Sequence, residues 1–177
     1  MKTALLVIDL QTGLFAEEPP PSEADAVIER INALAERARA QGDPVIFVQH
    51  EEPGTAWAFG AAGWDLDPRV KVCDSDLRLR KTTLDSFLDS PLQSMLAAHD
   101  VDRLTVCGYA TEFCVDTTVR RAAALGYSVT LVSDGHTTQD KPYLSAALIR
   151  RHHNETLAEV TSFRGKISVA PAASLWK

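Results

Sequence analysis

With 177 residues, 45% of them hydrophobic and 24% charged, the chain has the size and composition of one ordinary folded domain, residues 1–177, around a single core. A formal net charge of −6 argues against a protein that grips nucleic acid by charge. The longest apolar runs, 4–8 and 45–48, fall far short of the ~20 residues a membrane span needs, and no cleavable leader precedes the first of them, so a cytoplasmic protein is expected, with neither membrane nor nucleic acid as partner.

In chain order, strand and helix patterns alternate. Residues 4–8 form a continuous apolar run, the mark of a strand buried on both faces, and Asp9 closes it. Residues 22–41 read as a helix: Ser22 can cap it, Asp25 sits in its first turn, Gly42 lies just past its end, and Val27, Ile31, Leu34 and Ala38 share one face. Pro44 introduces a second strand, 45–48, ending at Gln49 and His50. Residues 51–75 have no periodicity and carry Pro53, Gly54, Gly60, Gly63 and Pro68; a loop this long in a small domain is usually functional or mobile. Residues 76–80 predict a short polar strand at a sheet edge, 88–99 a helix with Asp89 or Ser90 near its start, and 104–107 a third buried strand. A turn over 108–113 leads into a helix over 113–125 that Gly126 ends. A strand at 129–132, a helix over about 141–157 and a late strand near 158–163 follow, and the tail 166–177 fits no single pattern. Strands alternating with helices predict an α/β fold of three layers, α/β/α, around a mostly parallel, doubly wound, Rossmann-like sheet. Ligands of such sheets bind beyond the carboxyl ends of the strands. That singles out Asp9, Gln49, His50, Lys81, the turn 108–114 and residues 134–138.

Three cysteines, an odd number, argue against a disulfide framework, and the lack of a Cys-x-x-Cys pair excludes a zinc ribbon. Cys107 lies inside a strand and reads as core, and Cys73 lies in the irregular loop. Cys114 falls in the first turn of a predicted helix, where unpaired N–H groups and the helix dipole favour a thiolate and could hold an oxyanion; a buried structural thiol fits its position equally well. Alone, Asp9 would be a helix cap and Lys81 a solvated lysine. They gain weight because the topology brings their strand ends to the rim that carries Cys114.

Val7-Ile8-Asp9-Leu10-Gln11, then Arg80-Lys81-Thr82-Thr83-Leu84-Asp85-Ser86-Phe87, then Cys107-Gly108-Tyr109-Ala110-Thr111-Glu112-Phe113-Cys114-Val115 resemble, in order and across nearly the whole chain, the acid, lysine and nucleophile motifs of the isochorismatase-like (nicotinamidase-like) cysteine hydrolases. The resemblance implies that Cys114 is the nucleophile and Asp9 the general base that later returns its proton to the leaving amine. It implies that Lys81 orients the pair and that the backbone N–H groups of Ala110 and Cys114 form an oxyanion hole. It also implies a cis peptide bond at Tyr109–Ala110, a thioester acyl-enzyme, a small amide or carbamoyl compound as substrate, and self-association as a dimer or tetramer. Nicotinamidases of this superfamily bind a divalent metal through an Asp-x-His pair after the second strand and two further histidines. Here that segment is Val48-Gln49-His50-Glu51-Glu52 with no histidine from 51 to 98, so no metal and no cofactor are expected.

The substrate pocket is expected to involve Phe15, His50, Trp57, Trp64, Tyr109, Glu112 and Phe113. For the loop aromatics Trp57, Phe59 and Trp64 a role in pinning the loop or in a subunit contact stands beside a role as pocket wall. His136 follows a strand end and could face the same rim, whereas His152 and His153, late in a helix, read as structural. The runner-up function is vinyl-ether cleavage of the isochorismatase type; a non-catalytic binding module on the same fold would have no need of all three motif residues. A nucleotide-binding domain would need a glycine-rich loop after the first strand, and residues 9–14 hold one glycine.

Overall fold

The apolar run that opens the chain becomes the centre of a sheet. In the computed structural model, which describes residues 2–177, strand β1 (Lys2–Ile8) pairs in parallel with β2 (Val45–His50) on one side and β4 (Val101–Tyr109) on the other. Strand β3 (Leu77–Lys81) adds outside β2, and β5 (Ser128–Thr137) and β6 (Ile167–Ala170) add beyond β4, giving the order β3-β2-β1-β4-β5-β6. Each neighbouring pair is parallel, so the sheet is wholly rather than mostly parallel. Alternation along β1 explains its uninterrupted hydrophobicity. Ala4, Leu6 and Ile8 enter one core, and Leu5 and Val7 enter the other.

Helices cover both faces. Helix α1 (Thr12–Phe15) and helix α2 (Ala24–Ala40) pack on the Leu5/Val7 side, where Phe15, Val27, Ile31, Leu34 and Ala38 are buried. Helices α3 (Leu92–Ala98), α4 (Asp116–Leu125) and α5 (Ala146–Ala158) send Leu92, Leu96, Val119, Ala122 and Leu157 into the opposite core. The chain runs outward from β1 to the β3 edge, then crosses back to β4. The strand order therefore reverses between β1 and β4, the switch point at which doubly wound sheets open a crevice. Among the described residues no helix is long and apolar enough to cross a membrane.

Several boundaries differ from the sequence reading, each for a local reason. Ser22 does not cap α2: its N–H donates to Thr138 O (2.9 Å) and its carbonyl accepts from Thr137, and Glu23, with φ 54°, takes the capping position. Helix α3 starts only after Pro91, with the Ser90 hydroxyl bonded to Ser86 O and Leu92 N. Residues 141–144 close a bridged turn before Ser145 caps α5. No strand forms at 158–163; Val160 and Phe163 reach the core from irregular backbone, an apolar spacing that mimics a strand, and the last strand is β6 in the tail. The one-turn helix α1 had no counterpart in the sequence reading.

Candidate active site

Asp9 ends β1 with φ 52°, a left-handed backbone that turns the chain out of the sheet. Next to it, β4 can come close only because residue 108 is glycine. Its φ is 122°, and a Cβ there would lie 2.1 Å from Ile8 O. The Tyr109–Ala110 bond that follows is cis. A single π-helical turn, Thr111–Val115, then carries Cys114 ahead of α4, so the thiol sits in a wide turn rather than in the first turn of a regular helix. Lys81 arrives from the end of the edge strand β3, paired with His50 across β2 and β3.

These three side chains meet below the surface. Asp9 and Lys81 are each 2% exposed and Cys114 8%. Lys81 Nζ lies 2.8 Å from Asp9 Oδ2, donates to Cys114 Sγ at 3.2 Å and to Thr83 O at 3.1 Å, and lies 3.4 Å from His50 Nδ1. Burial opposes the Lys81 ammonium, but Asp9 and then Cys114 outweigh it and hold its pKa above the ordinary value. Burial and then the Lys81 charge hold His50 below its ordinary value. Burial, reinforced by the Asp9 charge and opposed by Lys81, pushes the Cys114 thiol up to about 12. This reverses the lowered thiol pKa expected from position alone: desolvation and a neighbouring carboxylate outweigh a helix end and one ammonium. Both burial and the Asp9 charge thus favour the protonated form of the thiol, which sits against the Lys81–Asp9 pair. Asp9 Oδ1 is buried with no hydrogen-bond donor, which leaves a lone pair available for a proton.

A cavity of about 240 Å³ opens onto the thiol. Of the residues expected around it, His50, Trp57, Tyr109 and Phe113 line it, together with Ala110, and three do not. Phe15 is buried behind the wall, edge-on to Tyr109 with ring centroids 5.6 Å apart. Glu112 turns away to Lys141 (2.9 Å) and the Thr138 hydroxyl (2.9 Å). Trp64 pins the loop: its carbonyl accepts from Gln11 Nε2 (3.0 Å) and Gln49 Nε2 (2.9 Å), and its ring packs on Phe59 outside the cavity. Leu14, Leu84 and Gln11 complete the lining and were not singled out from sequence. Leu84 lies three residues past Lys81 and Gln11 two past Asp9, so the motifs contained the signal. Trp57 covers Gly13 so closely that a Cβ at position 13 would lie 2.5 Å from its Nε1.

The metal set of nicotinamidases does not fit this segment. The His50 ring lies against Lys81, and the Gln49 side chain is engaged by Trp64 O and Arg78. Among the described residues no three His, Cys, Asp or Glu side chains converge as a metal site. His136 lies beneath the turn 111–115 instead of at the rim. It is fully buried between the Thr111 hydroxyl (2.8 Å) and Asn154 Oδ1 (2.9 Å). His153 bonds Ile149 O within α5, and His152 meets it edge-on. Cys107 is buried against Leu6 O and Cys73 is exposed.

Comparison with known proteins places this arrangement. Residues 3–163 match the family model described as the isochorismatase domain. A streptothricin hydrolase of Streptomyces noursei is 39% identical over 140 residues, 78% of this chain and 51% of the relative, so the chain spans about half the length of that relative. The ureidoacrylate amidohydrolase of Caulobacter segnis is 27% identical over 169 residues, covering 75% of this chain and 71% of its own. A solved isochorismatase family protein superposes with a TM-score of 0.86 at 34% identity, over 94% of this chain and 96% of the other. The chain belongs to the isochorismatase family.

Proposed function

We propose that the chain is a cysteine hydrolase that cleaves the C–N bond of a small amide or carbamoyl compound through a thioester on Cys114. The observation that carries this reading is the buried contact of one ammonium, Lys81 Nζ, with both Asp9 Oδ2 and Cys114 Sγ at the floor of the cavity. A buried ion pair held against a thiol adds little stability over an apolar filling; it makes sense as a device for moving one proton. The relatives named for hydrolysing streptothricin and ureidoacrylate support the reaction class.

The thiol is neutral at rest, so its proton leaves as the bond to carbon forms. Cys114 Sγ attacks the carbonyl carbon while Asp9 Oδ1 takes the thiol proton. The oxyanion is held by the N–H groups of Ala110 and Cys114, the latter from the turn 111–115. Collapse breaks the C–N bond, and Asp9 returns the proton to the leaving nitrogen. Water then attacks the thioester, giving its proton to Asp9, and the acid leaves with Cys114 restored as thiol. Lys81 keeps its charge throughout and holds Asp9 in place. An ether-cleaving isochorismatase has no need of a nucleophile here, which ranks that chemistry second.

The test is ammonia release from a panel of small primary amides and carbamoyl compounds. Cys114→Ala is expected to abolish turnover, and Asp9→Asn to lower kcat by about 10²- to 10⁴-fold, the usual worth of a general base. A Cys114→Ala protein that still turns over would refute the proposal.

A further inference from the structure

On the reading of the site given above, we infer that the substrate is an uncharged amide with a small apolar acyl part, and that carboxylate-bearing acyl groups are rejected. The cavity of about 240 Å³ has the volume of about eight water molecules at the roughly 30 Å³ each occupies in the liquid, room for a small acyl group. Its walls are Leu14, Trp57, Leu84 and Phe113.

Of the polar side chains that reach the cavity, those of Gln11 and Tyr109 are engaged elsewhere, His50 lies against the Lys81 ammonium through Nδ1, and Asp9 keeps one oxygen that receives no hydrogen bond, an oxygen that would repel a second carboxylate. The Gln11 amide donates to His50 O (2.8 Å) and Trp64 O (3.0 Å), and its oxygen accepts from His50 N (2.7 Å). The Tyr109 hydroxyl donates to Gln139 Oε1 (3.4 Å). Among the described residues the lining holds no lysine or arginine, and the Lys81 ammonium beneath it is taken by Asp9, Cys114 and Thr83. Lys141, the cation above Phe113, is paired with Glu112.

The local field points the same way. Burial, and after it the carboxylates of Glu17 and Glu112, push the Tyr109 hydroxyl up to about 12, and Asp9 at the cavity floor holds a carboxylate oxygen with no donor. An incoming carboxylate would lose its water and find no partner charge. An uncharged acyl group loses little and gains the apolar walls.

Three activated acyl donors test this: 4-nitrophenyl butyrate, 4-nitrophenyl succinate with its carboxylate free, and the methyl ester of the latter, which keeps the skeleton and removes the charge. In each, the Cys114 thiol gives its proton to Asp9 and Sγ bonds to the acyl carbon as the C–O bond to 4-nitrophenolate breaks. The readouts are the nitrophenolate burst and the mass gained by the intact protein, with Cys114→Ala as blank. About 0.5 M salt screens the long-range repulsion from the net charge but leaves desolvation in force. The two neutral donors are expected to acylate Cys114 at least about tenfold faster than the free carboxylate, a gap of about 1.4 kcal/mol. Leu84→Lys, which puts a cation in the half-exposed wall, is expected to narrow that gap. Equal rates for all three donors, or an unchanged gap in Leu84→Lys, would overturn the inference while leaving the nucleophile intact. Failure of all three donors to acylate Cys114 would remove the nucleophile reading and this inference with it.

Discussion

At the scale of the residue, two charges and one proton govern the site. Asp9 raises the Cys114 pKa and Lys81 lowers it, so their removal must act in opposite directions. Asp9→Asn is expected to lower the thiol pKa and still lose turnover, because the amide cannot accept the proton. Lys81→Met is expected to raise the pKa further. Asparagine also tolerates the left-handed backbone at position 9, φ 52°, which keeps the comparison free of backbone strain. The pH dependence of iodoacetamide alkylation measures both shifts; movement of both pKa values in one direction would contradict this electrostatic account. Each single change also leaves a buried charge unpaired, at a cost of about 3–5 kcal/mol. The double variant Asp9→Asn/Lys81→Met is expected to recover part of that in urea unfolding, with no recovery of activity. At this scale the sequence was informative about identity and poor about charge state. The motifs named Asp9, Lys81 and Cys114, and position at a helix start suggested a thiolate. Burial decides the protonation state, and burial is a property of the assembled rim.

At the scale of the element, the turn 111–115 is held from below. Thr111 begins it, the Thr111 hydroxyl meets His136 Nδ1, and Asn154 Oδ1 meets His136 Nε2. An amide oxygen can only accept, so Nε2 carries the proton and Nδ1 accepts from Thr111. Burial, the largest influence, lowers the His136 pKa to about 4. The sign of the pH effect follows. Below pH 6.5 the unfolded chain gains a proton at His136 that the folded protein refuses until about pH 4. Stability is full above pH 6.5 and is lost as pH falls through that window, by roughly 3 kcal/mol from this group. His136→Gln is expected to flatten that part of the curve in urea unfolding at pH 7, 5.5 and 4.5; a wild-type protein equally stable at all three values would contradict it. Gly108→Ala attacks the same turn from the other side. The added Cβ meets Ile8 O at 2.1 Å and φ is 122°, so a loss of about 2 kcal/mol or more is expected in the same assay. Long-period patterns such as 4–8 and 22–41 were legible because one face or both must be apolar. The single turns, α1 and 111–115, leave no periodicity to read. The false strand at 158–163 shows the converse, since Val160 and Phe163 are apolar without being paired.

At the scale of the whole molecule, the parallel sheet does the gathering. Asp9 and Cys114 follow β1 and β4, the two strands that flank the switch point, and Lys81 reaches in from β3 at the edge. Alternation of strand and helix was enough to bring these three to one rim. It could not say which aromatic side chains face inward. Trp57 and Trp64 sit seven residues apart in one irregular loop, and packing on Gly13 turns one inward while hydrogen bonds from Gln11 and Gln49 fix the other outside. The central claim is that this rim makes an acyl-enzyme at Cys114 with Asp9 as base. The most direct measurement is a peptide map of protein exposed to 4-nitrophenyl butyrate and quenched in acid. The account predicts a single butyryl group on the Cys114 peptide, released by neutral hydroxylamine as a thioester is, absent in Cys114→Ala and formed far more slowly in Asp9→Asn. A butyryl group on Cys73 or any other residue, or one formed at the wild-type rate in Asp9→Asn, would contradict it.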